Sequence, residues 1–289
     1  MSPWSSAPDR ITRQPLGARP FGPRQGWVVM IGFFLVQLLV GIVAMLVRGF
    51  IFGIMIGVHR GLQAAANHQT INPFHLGNAL MPPPPDAQFI TALGIGAYVI
   101  AAIWSAKYIT DRVGPRLYEA SSTGVAWCAA QARFYGVAVL LALVIVAVAI
   151  GLTVLFPFAQ YGDGHLGALK QMLAPGWPRV ASLILFILIA PPAEEFIFRG
   201  GAFAALASRH GVWVSGAIVT ACFVALHVPE KIHYPPGFID ITLLAVAALW
   251  LRLRSGSLKP AMVLHVLYNG GVIVAAAIIG ALHGHAPHL

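Results

Sequence analysis

Residues 134–156 read FYGVAVLLALVIVAVAIGLTVLF, a run of apolar side chains that contains no charged group. A run of about 20 such residues allows an α-helix to cross the hydrocarbon core of a bilayer. Only 9% of the 289 residues are charged and 58% are apolar, whereas soluble domains have about 25% charged residues. The sequence therefore predicts an all-α protein, a polytopic transmembrane helix bundle that forms a single membrane domain.

The lengths of the apolar runs predict about seven spans. They cover residues 27–47, 88–109, 134–156, 180–206, 212–228, 238–251 and 261–282. The first run stays apolar as far as residue 58, too long for one untilted crossing, so we expect its far end to protrude or bend. The sixth run, with about 14 residues at a rise of 1.5 Å, covers only about 21 Å, so we expect it to be short.

Basic residues lie beside alternate apolar runs. They are concentrated in the tail of residues 1–26, in the loop at residues 107–133 and in the loop at residues 252–259. This distribution predicts that all three are cytoplasmic, with the N-terminus inside. It also accounts for the net charge of +9, so we expect membrane lipid and no nucleic acid as a partner. The tail, rich in Pro, Gly, Ser and Arg, is predicted to be disordered. We expect a multi-pass integral protein of the bacterial inner (plasma) membrane.

Three ionisable side chains, Glu194, Glu195 and Arg199, stand together in the fourth apolar run. Ionisable groups at membrane depth are costly and indicate function by default. Glu195 and Arg199 are spaced i and i+4 with the acid first, which favours an ion pair and leaves Glu194 as the freer carboxylate. Pro191 and Pro192 are expected to break the helix and restart it, so that the acids occupy a first turn. The alternative is a purely structural salt-bridge network.

His227 lies near the end of the fifth run, one helical turn after Phe223. By itself, a terminal histidine is usually a packing or interfacial residue. Counted from a turn near residues 209–210 at 1.5 Å per residue, however, Glu194 and His227 lie about 22 and 26 Å deep. We therefore expect these two side chains to meet between antiparallel helices.

His265 and Asn269 are spaced i and i+4 in the last run, which places both polar groups on one helix face. They need a shared polar partner, or they provide hydrogen bonds that hold helices together. Counted from residue 261, they lie only about 6 to 12 Å deep, shallower than Glu194. Either this helix starts deeper than its apolar run indicates, or the boundaries differ.

Three motifs in this order, Glu194-Glu195-x-x-x-Arg199, Phe223-x-x-x-His227 and His265-x-x-x-Asn269, resemble the CAAX protease and bacteriocin-processing (CPBP, or Abi) family. The resemblance covers roughly residues 180–275. It implies a catalytic core at residues 176–285 and an integral-membrane endopeptidase of the type II CAAX prenyl-protease kind. The N-terminal transmembrane helices at residues 27–175 are predicted from hydropathy alone.

The resemblance implies a role for each site residue. Glu194 would act as the base, and His227 would hold and polarise the water. His265 and Asn269 would stabilise the oxyanion of the tetrahedral intermediate. The supporting residues would be Glu195, Arg199 and Phe223. These residue types suit peptide hydrolysis, which needs a base and donors aimed at developing negative charge.

No cofactor is expected, but zinc remains an alternative, with Glu194, His227 and His265 as its ligands. The sequence lacks the His-Glu-x-x-His spacing. Asn269 is a poor zinc ligand and a good oxyanion donor, so we favour a metal-free glutamic mechanism. Glu230, with His233, is a further candidate ligand or gating residue in the loop after His227.

Other classes of protein fit the sequence less well. A serine or cysteine protease is disfavoured because no Gly-x-Ser-x-Gly motif occurs and Cys222 has no evident activator. We assign no role to Cys222 or Cys128. A non-catalytic membrane scaffold or immunity protein of the same fold is the main alternative, and a transporter is a third. The expected substrate is a membrane-associated protein or peptide, whether prenylated or not.

Overall fold

The computed structural model describes residues 21–67, 83–161 and 176–282, and in these ranges the secondary structure is helical, without strands. The helices are α1 (Pro23–Ala66), α2 (Ala87–Val113), α3 (Ala132–Leu155), α4 (Trp177–Ile184), α5 (Ala190–Glu194), α6 (Phe203–Leu226), α7 (Val228–Lys231), α8 (Gly237–Ser255) and α9 (Lys259–Leu282). Two π-helical segments, Leu185–Ile189 and Glu195–Ala202, join α4 to α5 and α5 to α6. Five helical stretches within the described ranges are long and apolar enough to cross a membrane. The predicted all-α transmembrane bundle is confirmed.

A break at Gly211 divides the longest of these stretches, Trp177–Leu226, into two antiparallel spans. Gly211 has φ 73° and ψ 172°, a backbone conformation that is essentially restricted to glycine. Phe198 and Phe223 lie at nearly equal distances along the chain on either side of it, and their ring centroids are 5.7 Å apart. The fourth and fifth predicted spans therefore form a helical hairpin.

Helix α1 is longer than one membrane crossing. Its 44 residues extend over about 66 Å at 1.5 Å per residue, so it continues past the predicted end of the first span. It also begins at Pro23, inside the predicted tail, because proline is favoured at the first helical position. Its buried residues, Gly26, Val29, Met30 and Phe33, all lie in the first three turns. Residues 1–20 of the predicted tail lie outside the described residues.

Helix α8 is longer than its apolar run indicated. It has 19 residues, or about 28 Å, because it continues through Arg252 to Ser255. The guanidinium of Arg252 is buried and donates hydrogen bonds to the carbonyl oxygens of Ser121 (2.9 Å) and Arg199 (3.3 Å). An arginine that is satisfied in this way does not end the helix at Leu251.

Helix α9 starts within the bundle and not at its edge. The amide of Leu258 donates to the carbonyl of Ala126 at 3.0 Å, and both residues are fully buried. A Cβ added to Gly200 would lie 3.0 Å from Leu258, so Leu258 is level with Gly200, roughly 16 Å from the turn at Gly211 at 1.5 Å per residue. This deeper start brings His265 to the level of Glu194 and removes the apparent difference in depth.

Candidate active site

The two glutamates lie in one continuous helical stretch. The sequence prediction that Pro191 and Pro192 break the helix and restart it is wrong. Ile189 keeps helical angles, φ −99° and ψ −48°, and π-helical segments flank α5 on both sides. Local π adjustments let a transmembrane helix accommodate proline. The acids therefore do not have the free N–H groups of a first turn, and their charge is stabilised by other side chains.

The predicted ion pair between Glu195 and Arg199 is confirmed. Arg199 Nη1 lies 3.1 Å from Glu195 Oε1, and both side chains are completely buried. Arg199 Nη2 also donates to the carbonyl of Ala245 in α8 at 3.2 Å. The guanidinium carbon lies 4.0 Å from the ring centroid of Phe223. This arginine thus ties the α5–α6 region to α8 and packs on the phenylalanine that precedes His227.

Glu194 has a different environment from Glu195. Its side chain is 13% exposed and lies in the wall of a cavity. Its Oε1 accepts a hydrogen bond from the hydroxyl of Tyr98 at 3.0 Å, whereas Oε2 lies 3.8 Å from Nε2 of His265. Glu194 is therefore the more accessible carboxylate of the two, as the spacing of the charged residues predicted.

His265 lies between the two glutamates. Its Nδ1 is 2.9 Å from Oε1 of Glu195, and its side chain is 2% exposed. Because an ionised carboxylate only accepts hydrogen bonds, Nδ1 carries the proton. Nε2, on the side of Glu194, then donates a hydrogen bond only in the doubly protonated ring.

His227 lies at the end of α6, and its Nδ1 is 2.9 Å from the carbonyl oxygen of Phe223. A carbonyl accepts only, so Nδ1 carries the proton, and in the neutral ring Nε2 has the lone pair. The ring of Phe223 lies between the two histidines, with its centroid 4.8 Å from that of His227 and 5.7 Å from that of His265.

Asn269 has a partner that the sequence did not indicate. Its side-chain nitrogen donates to the carbonyl oxygen of Phe186 at 2.7 Å. In the π-helical segment, the amide of Ala190 donates to the carbonyl of Leu185, five residues earlier. The same pattern would pair the amide of residue 191 with the carbonyl of Phe186, but residue 191 is a proline and has no N–H. Asn269 supplies the hydrogen bond that this proline lacks. The second N–H of its amide is not used in this bond.

A cavity of about 370 Å³ brings part of the predicted set together. It is lined by Phe33, Phe34, Gln37, Tyr98, Ser182, Leu185, Phe186, Ala190, Glu194, Leu226, His227 and Glu230. Glu194 and His227 thus share one cavity. His265 is behind Glu194, in contact with both acids, and Asn269 is held at Phe186.

Tyr98 is the site residue that sequence reasoning missed. It lies in α2, far along the chain from the three motifs, and its hydroxyl reaches both Glu194 and the carbonyl of Ala190, the latter at 3.3 Å. The only signal in the sequence was a tyrosine hydroxyl within the apolar run of residues 88–109. Buried tyrosine hydroxyls usually have a hydrogen-bond partner, but hydropathy does not identify that partner.

A zinc site would require Glu194, His227 and His265 to converge on one point. Among the described residues, no three His, Cys, Asp or Glu side chains are grouped so that they could hold a metal ion. Glu194 and His265 approach each other, and the Nδ1 of His227 faces a carbonyl, which leaves only its Nε2 to bind a metal. Glu230 lines the cavity and pairs with Lys231 at 3.0 Å. In the part of the chain that the structure describes, Glu194, His227 and His265 do not form one group of metal ligands.

One family model matches part of the chain. Residues 175–271 match the family model of the Rce1-like type II CAAX prenyl endopeptidases. All three motifs fall inside the matched segment, so the resemblance inferred from them is confirmed there. Together with the apolar helices, the match supports an integral membrane protein of the intramembrane protease kind. No curated protein and no solved structure matches the chain.

Proposed function

We propose that the protein is an intramembrane endopeptidase that hydrolyses a peptide bond in a membrane-associated protein or peptide. One observation carries the proposal: Glu194, the accessible member of a buried acid pair, and His227 line the same cavity. A cavity with a carboxylate and an imidazole among apolar walls is suited to a water molecule and a peptide segment.

In the proposed reaction, Glu194 acts as general base and His227 orients the water. The lone pair on Nε2 of His227, implied by its Nδ1 contact with Phe223, accepts one hydrogen bond from the water. Glu194 takes the other proton of the water while the water oxygen attacks the carbonyl carbon of the peptide bond. The protonated Glu194 then gives this proton to the leaving amine, so that the base is regenerated.

His265 and Asn269 are proposed to stabilise the oxyanion. Nε2 of His265 lies 3.8 Å from the proposed base, so an attacked carbonyl would develop its charge beside this ring when both of its nitrogens are protonated. Asn269 would contribute its second N–H, since its first is bonded to Phe186. Loss of one such donor typically costs about 10²- to 10³-fold in rate.

Glu195, Arg199 and Phe223 are proposed as supporting residues. Glu195 fixes the orientation of His265 by accepting from its Nδ1. Arg199 neutralises Glu195 and contacts the ring of Phe223, which separates the two histidines. These contacts leave Glu194 as the only acid of the pair that is available to water.

We further propose that the substrate approaches from the membrane of a bacterial cell, with the N-terminus of the protease in the cytoplasm. The apolar surface of the helices fits membrane lipid as its surroundings, and the basic residues beside alternate apolar runs support this orientation. A prenylated CAAX-type protein is the substrate class that the family match suggests.

The test uses the full-length protein in proteoliposomes. Its probe is an internally quenched peptide that ends in a farnesylated Cys-aliphatic-aliphatic-X sequence, and an unprenylated form of the same peptide is run beside it. Glu194→Gln is expected to lower the cleavage rate by about 10²- to 10⁴-fold, the usual contribution of a general base. Asp111→Asn is the matched control and is expected to cleave at the wild-type rate, because it changes an exposed carboxylate that pairs with Lys107 outside the cavity.

The outcomes separate the two functions considered. Cleavage at the wild-type rate by a folded Glu194→Gln variant contradicts the mechanism. A wild-type protein that cleaves neither peptide, but retains a membrane partner equally well with and without the Glu194 carboxylate, supports the scaffold alternative.

A further inference from the structure

We propose that Tyr98 is a positioning residue of this site. Its hydroxyl holds Oε1 of Glu194 and leaves Oε2 as the oxygen that takes the proton from water. This inference rests on the proposed function and extends it to α2, a helix that lies outside the matched residues 175–271.

The hydroxyl of Tyr98 contacts both ends of the turn that carries Glu194. It is 3.0 Å from Oε1 of Glu194 and 3.3 Å from the carbonyl oxygen of Ala190. Both of these oxygens accept hydrogen bonds, so the single hydroxyl proton serves the carboxylate at the shorter distance. Tyr98 therefore fixes the carboxylate relative to the helix on which it lies.

The two oxygens of Glu194 become inequivalent as a result. Oε1 is occupied by the hydroxyl of Tyr98, whereas Nε2 of His265 lies 3.8 Å from Oε2, beyond hydrogen-bond length. A general base must present one oxygen to water in a fixed direction, and misplacement of about 1 Å can cost about 10²-fold in rate. Tyr98 supplies that constraint from a neighbouring helix.

The ring of Tyr98 is held independently of its hydroxyl. It packs edge-on against Phe33 of α1, with the ring centroids 5.4 Å apart and the planes at 90°. Tyr98→Phe therefore keeps the contact between α1 and α2 and removes only the hydroxyl's contacts with Glu194 and the carbonyl of Ala190. The variant therefore tests the effect of the hydroxyl on Glu194 separately from the packing of the ring.

Two measurements on the full-length protein test the inference. The first is the steady-state cleavage of the farnesylated probe peptide. Tyr98→Phe is expected to lower kcat about 10- to 100-fold and to leave KM within about twofold, because the hydroxyl orients the base and does not bind the peptide. The matched control is Tyr108→Phe, which removes a hydroxyl from the same helix two to three turns away.

The second measurement does not depend on activity. Dicyclohexylcarbodiimide modifies carboxyl groups in apolar surroundings in their protonated form, and mass spectrometry reports the modified fraction of Glu194. The hydroxyl of Tyr98 covers Oε1 of Glu194, so Tyr98→Phe, which leaves this oxygen open to the reagent, is expected to react about fivefold faster or more. Tyr108→Phe is expected to react at the wild-type rate.

These outcomes distinguish failure of the inference from failure of the proposed function. Equal labelling rates in wild type and Tyr98→Phe, or an unchanged kcat with lower thermal stability, overturn the positioning role alone. If the wild-type protein cleaves no peptide, the proposed function fails and the positioning role falls with it, even where labelling is faster. Faster labelling together with a lower kcat supports both.

Discussion

Arg199→Met is expected to destabilise the folded protein by about 3 to 5 kcal/mol, the usual cost of leaving one partner of a buried ion pair uncompensated. The structure indicates why the cost falls in this range. Both side chains of the Glu195–Arg199 pair are completely buried, so water cannot solvate the remaining carboxylate. Methionine replaces much of the apolar volume of arginine but supplies no donor.

The remaining contacts of Arg199 add a smaller cost than the uncompensated charge. The guanidinium above Phe223 contributes about 0.5 to 2 kcal/mol, and its bond to the carbonyl of Ala245 about 1 kcal/mol. The apolar packing of methionine offsets part of this loss. The uncompensated charge on Glu195 is therefore the dominant cost.

A second variant isolates that charge. Glu195→Gln combined with Arg199→Met removes both charges and keeps an amide oxygen that can accept from His265. The double variant is expected to recover most of the lost stability, because replacing a buried ion pair by groups of similar volume is often nearly neutral. Its proteolytic activity is expected to stay low, since His265 loses its anionic partner.

The assay is SDS-titrated unfolding in mixed micelles at constant pH. Arg254→Met is the control, because Arg254 lies on the exposed face of α8 and surface substitutions usually change stability by less than about 0.5 kcal/mol. If the double variant is as unstable as Arg199→Met, the cost does not arise from an uncompensated charge and the reasoning is refuted.

Three further predictions concern the hairpin turn at Gly211, the buried pair of Tyr268 and Asp240, and the dependence of cleavage on a metal. Gly211→Ala is expected to cost about 1 to 3 kcal/mol in the same assay, because φ of 73° with ψ of 172° is strained for any residue with a side chain. No atom lies within 4 Å of the added Cβ, so the cost would come from the backbone and not from a clash. An unchanged stability would contradict that strain. Tyr268→Phe removes the hydroxyl that donates to Asp240 at 2.6 Å and is expected to lower stability by about 1.5 to 3 kcal/mol. Adding Asp240→Asn to this variant is expected to restore part of the loss. If the double variant is less stable than Tyr268→Phe, the cost does not arise from the aspartate. Treatment with 1,10-phenanthroline is expected to leave the cleavage rate within about twofold, because the mechanism uses no metal, whereas a loss that added zinc restores would favour the zinc alternative.

The order of the spans was predictable because a bilayer requires long apolar helices with internally satisfied backbones. The bond between Glu195 and Arg199 was predictable for a local reason, since residues four apart lie on one helix face. Local rules also failed in two places. They ended α8 at a buried arginine and broke the helix at Pro191, because they did not include carbonyl and side-chain partners from distant segments.

By itself, the sequence determined the membrane environment, the approximate spans and the accessible member of the acid pair, because each of these depends on composition or on spacing within one helix. Only the tertiary structure decided the depth of α9, the contact of His265 with both acids, the bond of Asn269 to Phe186 and the bond of Tyr98 to Glu194. The physical reason is that lipid is as apolar as the helix surfaces, so hydropathy carries little information about which helices pair. That choice depends on close packing and on hydrogen bonds between side chains far apart in sequence.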